Sequence, residues 1–304
     1  VYGVGSRRRQ SVDCKVRQRT YMNKAFVIAI VVSLLFTSCN YIDPENESTK
    51  TIAISVVCND ENIPKGWHFD LFDENGYLDT SYTTEDQRVE ICDTYTTILI
   101  YNDTKTTKVY YTENNVMATA TTDRLNEQAY IGRHPIVYMP DKLYSTLLVT
   151  KGNEVETAEV KPLVFTYNID ISLNDNNNIK DCTEASIEGV ARSVDIISGT
   201  RSDSTAAMYF HVEYTNDKHI TGHFNTFGLP LGKQPTATIR LRLLNKDNIA
   251  TYLTIDPTDD MLKHQKGTTI SRTVDAQSAQ PVNPTDNGDI DIEPSNTEFI
   301  HVKI

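Results

Sequence analysis

From residue 51 onward the apolar positions recur mostly at every second residue, the period of a half-buried β-strand. Thr51–Cys58 places Ile52, Ile54, Val56 and Cys58 on one face. Trp67–Phe72 reads as a second strand, closed by the turn-forming Asp73-Glu74-Asn75-Gly76. Val89–Cys92, Thr96–Tyr101 and Val109–Tyr111 are further short runs. Pro140–Tyr144 interrupts the pattern. Thr146–Thr150 and Glu154–Pro162 then read as a hairpin around Lys151-Gly152-Asn153. In Val164–Leu173, Phe165, Tyr167, Ile169 and Ile171 share one face, with Thr166, Asn168, Asp170 and Ser172 on the other.

Asn174-Asp175-Asn176-Asn177-Asn178 has no apolar side chain and predicts a domain boundary. A second strand-rich block follows it. Ala185–Val190 leads to a predicted hairpin of Ala207–Tyr214 and His219–Phe227, turned at Asn216-Asp217. Thr236–Leu244 alternates and pairs in expectation with Ala250–Ile255. Asp259–Gln265 is the helical candidate, and residues 277–297, polar with three prolines, predict a long loop. Phe299, Val302 and Ile304 suit a closing strand. Short strands separated by close turns predict an all-β chain with a β-sandwich in each block, residues 51–174 and 182–304.

The front of the chain is patterned differently. Met22-Asn23-Lys24 opens a short basic region, and Ala25–Phe36 is apolar except for Ser33. About a dozen apolar residues are too few to span roughly 30 Å of hydrocarbon, but they suit a secretory signal. The run ends in Leu35-Phe36-Thr37-Ser38-Cys39, which resembles a lipobox, with Phe36 where a small aliphatic residue is usual. Residues 22–38 are thus expected to be a lipoprotein signal, cut before Cys39, whose thiol takes diacylglycerol and whose new amine is acylated. Three acyl chains, at about 0.8 kcal/mol per buried CH₂, hold a protein permanently on a membrane. Residues 1–21, basic and without an initiator Met, are expected to be translated upstream sequence. Residues 39–50 are polar and acidic, with Pro44, and read as a tether.

Charge sharpens this division. Seven of the 29 basic residues and one of the 41 acidic residues precede Cys39, so the rest of the chain carries −18 against −12 for the whole. Such a body repels nucleic acid and anionic headgroups. Cysteine use is sparse: after Cys39 only Cys58, Cys92 and Cys182 remain, with no Cys-x-x-Cys. Cys58 and Cys92 sit on candidate strands of one block and are the pair most open to a disulfide; three unlinked thiols are equally compatible with the sequence.

Catalytic patterns are not found. His219 and His223 are four apart, which on a strand separates them by about 13 Å, too far to share a metal. Asp286, Asp289, Asp291 and Glu293 lack the spacing of an EF-hand and read as a solvated loop. Gly228-Leu229-Pro230-Leu231-Gly232 lacks the lysine and helix of a phosphate loop and reads as a turn. No Gly-x-Ser-x-Gly elbow occurs. The expectation is a non-enzymatic protein with no cofactor and no metal.

Three features together resemble the fimbrillin-associated lipoproteins of Bacteroidetes, the anchor and accessory subunits of fimbriae. They are the short signal with Ser38-Cys39 and its acidic tether; the stretch Ala185-Ser186-Ile187-Glu188-Gly189-Val190-Ala191 continuing through Met208-Tyr209-Phe210 to Gly222-His223-Phe224-Asn225-Thr226-Phe227-Gly228-Leu229; and Asn287-Gly288-Asp289 before the terminal His301-Val302-Lys303-Ile304. The resemblance implies two tandem transthyretin-like β-sandwiches on a lipid anchor in the outer membrane. It implies pilin subunits as partners, joined by β-strand pairing. In polymerising pilins of this class a protease removes the first strand after an arginine, whereas anchors keep theirs. Here no arginine lies between Cys39 and Trp67, which favours an anchor or accessory subunit. A carbohydrate- or host-binding surface lipoprotein is the alternative. Asp203-Ser204-Thr205 matches an O-glycosylation sequon of this phylum, so Ser204 is either a glycosylation site or part of an unmodified loop.

Overall fold

In the computed structural model, residues 50–60, 64–92, 94–111, 118–174, 178–215, 218–232, 234–276 and 279–281 are described. The expected signal, Cys39, the expected tether up to Thr49 and the expected closing strand 299–304 lie outside them.

The chain is an all-β sandwich protein. Its first half contributes β1 (Thr51–Val57), β2 (Trp67–Phe72), β3 (Leu78–Thr84), β4 (Arg88–Cys92), β5 (Thr97–Asn102), β6 (Thr107–Tyr111) and β7 (Ala118–Thr122). The two-residue β8 (Tyr130–Ile131) and β9 (His134–Pro135) follow, then β10 (Tyr144–Val149), β11 (Val155–Glu159) and β12 (Lys161–Pro162). The second half contributes β13 (Phe165–Asn174), β14 (Ile179–Ala191), β15 (Ser193–Asp195), β16 (Thr205–Phe210), β17 (Val212–Tyr214) and β18 (His219–Thr226). It closes with β19 (Thr238–Asn245), β20 (Ala250–Ile255), α1 (Thr258–Lys263), β21 (Thr269–Asp275) and β22 (Gln280–Pro281).

The first half is built on a central sheet ordered β12-β10-β5-β2-β3. Its two faces meet different partners. Trp67, Phe69, Leu71, Ile98 and Ile100 pack toward Ile54, Val56, Val89 and Ile91 of the sheet β11-β1-β4. Phe72 and Leu99 pack the other way, with Ala118 and Ala120 of a sheet ordered β15-β7-β6. Burial on both faces is why β5 runs Ile98-Leu99-Ile100 without a polar break rather than in clean alternation. On β2 the face opposite Trp67 and Phe69 carries His68 and Asp70; Asp70 is 1% exposed, and its carboxylate accepts hydrogen bonds from Ser81 Oγ and Tyr111 Oη. Burial, then Asp70, pushes the Tyr111 hydroxyl well above its ordinary range, so it stays a donor.

The second half is a sandwich of β17-β18-β13-β21 against β16-β14-β19-β20-β22. The alternation of β13 is as expected: Tyr167, Ile169, Ile171 and Leu173 are buried between Phe224, Ile220, Ile187 and Leu241. The helix α1 matches the predicted turn of helix and buries Met261.

Three expectations are corrected by the pairing, and one alternative left open by the sequence is decided. First, β13 pairs antiparallel with β18 and parallel with β21, so it belongs with strands that follow the polar run 174–178. That run joins two strands of facing sheets, and the division between sandwiches falls before Phe165. Second, β10 and β11 do not form a hairpin. The chain crosses between sheets at 150–154, so β11 pairs parallel with β1 while β10 pairs with β5 and β12. Third, Ala207–Tyr214 is not one strand. It switches sheets at His211, β16 pairing with β14 and β17 with β18. The alternative decided is the disulfide: Cys58 is a free thiol and does not pair with Cys92. Cys92 lies opposite Thr51, and Cys58 follows the end of β1 seven residues on, so the two are about 23 Å apart at about 3.3 Å per residue. A disulfide needs Cα atoms within about 7 Å.

Candidate functional site

Two features of the fold are candidates for a functional site: the position of the first strand, and a cavity where the two halves meet. β1 lies in the middle of its sheet, with β11 on one side and β4 on the other. It pairs from Ala53↔Val155 to Val57↔Glu159 on one edge and from Thr51↔Cys92 to Ser55↔Arg88 on the other. Ile52, Ile54 and Val56 are each less than 5% exposed. Each such side chain contributes on the order of 1.5–3 kcal/mol by burial. Removal of β1 would strip main-chain partners from both neighbours and open an apolar slot between them.

In the second half, β20 is paired on its outer edge at Thr251 and Tyr252 by β22. Among the described residues no strand covers that edge at Leu253–Ile255.

The cavity, of about 380 Å³, opens between β10, the Lys161–Leu163 segment, Phe165, Phe227 and the 196–201 loop. The loop is held in place from both sides. Ser145 Oγ donates to the Ile196 carbonyl at 2.6 Å. Asp195 Oδ1 accepts from Ser198 N at 2.6 Å and from Ser198 Oγ at 2.7 Å. The Asp195 amide donates to the Thr200 carbonyl, and the Gly199 amide to the Asp195 carbonyl. The loop ends at Arg201, half-buried, whose guanidinium carbon lies 5.7 Å from the centre of the Phe165 ring. Beneath it is Gly228, at φ +101°; a Cβ there would come within 2.7 Å of that carbon. Burial pulls the Arg201 pKa below its ordinary value, and the neighbouring Tyr167 hydroxyl partly offsets this.

The residues singled out from sequence fall elsewhere. Cys39 lies outside the described residues, as do Asp286, Asp289, Asp291 and Glu293. Ser204 is exposed on the loop between β15 and β16, where its carbonyl accepts from the Arg192 amide and from Ser202 Oγ. His219 Nδ1 lies 3.0 Å from Asp170 Oδ1 across the β13–β18 pair, while His223 is four residues along the same strand and exposed. Among the described residues no group of three or more His, Cys, Asp or Glu is placed to hold a metal, and no helix is long and apolar enough to cross a membrane. The Arg201–Gly228 contact was missed from sequence. Gly228 falls in a segment whose sequence reads as a turn, and a lone loop arginine carries no pattern to single it out.

No protein-family model matches the sequence, and neither does any curated protein. Solved structures do. A candidate adhesin from Bacteroides ovatus is 17% identical, with 82% of this chain and all of that one covered and a TM-score of 0.55. A candidate polysaccharide-binding protein from Bacteroides thetaiotaomicron is 11% identical, with 73% and 89% covered and a TM-score of 0.50. The chain shares their fold. The fimbrial anchor protein Mfa2 from Porphyromonas gingivalis aligns over 73% of this chain and 90% of that one, at 12% identity and a TM-score of 0.45.

Proposed function

We propose that the protein is an outer-membrane lipoprotein, lipidated on Cys39, that serves a fimbria as a non-catalytic anchor or accessory subunit. The observation that carries this reading is the central, doubly paired β1. A subunit that polymerises by strand exchange must vacate such a slot, and a subunit that keeps the slot filled ends the chain of exchange. The absence of arginine between Cys39 and Trp67 supports it, since an arginine-directed cut could not free β1 there. The tether from Cys39 to β1 reaches at most about 40 Å when extended, which keeps the first sandwich near the membrane and leaves the second to project outward. The incompletely covered edge of β20 is then a place for a pilin strand to add.

A second reading, a carbohydrate- or host-binding lipoprotein, is favoured by the cavity at the junction.

Two experiments test the fimbrial proposal. Cys39→Ala should leave an unlipidated precursor by mass spectrometry; a mature N-terminus elsewhere without acyl mass would end the lipoprotein assignment. Deleting 299–304 should leave lipidation intact and weaken retention of pilin at the cell surface. A stable truncated protein that holds fimbriae as firmly as the full chain would remove the terminal strand from the account. If no deletion within 182–304 changes fimbriae, the fimbrial reading yields to the ligand-binding one.

A further inference from the structure

We infer that the cavity between the two halves is a binding site for a small carboxylate-bearing ligand of the acidic-monosaccharide class, held by Arg201, with Lys161 also lining the cavity. The inference is independent of the fimbrial reading.

The first argument is charge. The chain carries 41 acidic against 29 basic residues. The lining of this cavity reverses that balance: Arg201 and Lys161 contribute to it, and no carboxylate does. The second is the state of Arg201. Arg240 and Arg272 meet the carboxylates of Glu188 and Asp260. Arg201 has no carboxylate or carbonyl accepting from its guanidinium among the described residues; its neighbours are the Phe165 ring and Tyr167. A guanidinium drawn out of water needs an anion or a set of acceptors to offset the loss of hydration. Here the open side is the cavity.

The third argument is preorganisation. The guanidinium lies over an aromatic ring on one side and the bare backbone of Gly228 on another. Its loop is braced by Asp195 and Ser145. Its fork therefore costs little to order when a ligand arrives.

The class of ligand follows from the same features. One half-buried guanidinium matches one planar carboxylate, which it can bind bidentately. A phosphate monoester would bring a second charge to a site whose other cation, Lys161, is exposed. A volume of about 380 Å³ accommodates one sugar ring. The mixed wall, with Phe165 and Leu147 beside Ser145 and Thr146, suits a ring with apolar faces and hydroxyl edges.

The test titrates the full chain with D-glucuronate, D-glucose and N-acetylglycine by calorimetry, at low and high salt. Glucuronate should bind saturably in the millimolar range or tighter, glucose at least about tenfold more weakly, and added salt should weaken the former. Arg201→Gln should lose at least about tenfold in affinity, and Gly228→Ala should lose binding too because its Cβ displaces the guanidinium. If Arg201→Gln does not fold, the exposed Lys161→Gln decides by a severalfold weakening. No saturable glucuronate binding up to about 20 mM, an Arg201→Gln affinity equal to that of the unaltered chain, or a Lys161→Gln affinity unchanged and insensitive to salt would overturn the site. N-acetylglycine binding as tightly as glucuronate would overturn the saccharide assignment and point to a peptide carboxylate.

Discussion

At the residue scale, small changes of backbone and burial set what single side chains can do. Gly189 interrupts β14 at φ +79°, where the register to β16 shifts between Glu188 and Val190. A Cβ there would lie 2.1 Å from the Thr236 carbonyl oxygen, so the bulge admits only glycine. The cysteines show the effect of burial. Cys182 is 5% exposed, and loss of hydration pushes its thiol up to about 12. Thiolate is the reactive form, so Cys182 should stay inert at pH 8. Cys58, a free thiol only half-buried, should be accessible to reagent. Iodoacetamide followed by peptide mass spectrometry should therefore label Cys58 in the folded protein and Cys182 only after denaturant is added. Equal labelling of both without denaturant would show that the β14–β19 core opens on the timescale of the reaction.

At the element scale, the turn between β10 and β11 illustrates how a polar residue holds a crossover in place. Glu156 Oε1 accepts from Lys151 N at 2.9 Å, Asn153 N at 3.3 Å and Asn153 Nδ2 at 3.0 Å. These donors, led by the Lys151 amide, hold the Glu156 carboxyl below its ordinary value. A depressed carboxyl pKa contributes stability that is fully present above the unfolded value, about 4.5, and is lost as pH falls through the folded one. Glu156→Gln should therefore lower the melting temperature at pH 7 and flatten the fall in melting temperature below about pH 4.5, read by thermal scans from pH 3 to 7. An unchanged acid slope would mean that other carboxylates carry the acid sensitivity. The same turn shows why a local reading of 146–162 as a hairpin fails. Lys151-Gly152-Asn153 does turn the chain, with Gly152 at φ +76°, but β11 leaves its predecessor for the edge of β1.

At the scale of the whole molecule, the two halves are joined by more than a linker. β15, from the second half, pairs with β7 from the first, and Ile136 bridges to Ala207. Phe72, Leu99 and Leu143 share a core with Ala191, Val194, Ile196 and Phe227. The polar run at 174–178 also lies between two strands of one sandwich rather than between domains. A protease that nicks 175–177 should thus yield two fragments on a denaturing gel that still co-elute in native size exclusion, because β13 remains paired with β18 and β21. Separation of the fragments in native buffer would show that this pairing cannot hold without the covalent link.

Much of this architecture was legible along the chain. Alternation identified the strand now formed by Phe165–Asn174 and the faces of β1, because side chains on a pleated strand point to opposite sides with period two. The turn at Asp73–Gly76 was legible for the same local reason: Asp73 Oδ1 accepts from the amides of Asn75 and Tyr77, all within five residues. A period of two reports which side chains face a core but not which strand lies alongside. Whether β11 pairs with β10 or with β1, and whether β13 joins the half before it or the half after it, depends on contacts between residues far apart in sequence. Those contacts are chosen by how several apolar faces can be buried at once. The cavity was equally illegible for that reason. Its walls come from residues 145–227, and the bare backbone of Gly228 beneath Arg201 becomes visible only when β18 folds back beside β13 and brings the two together.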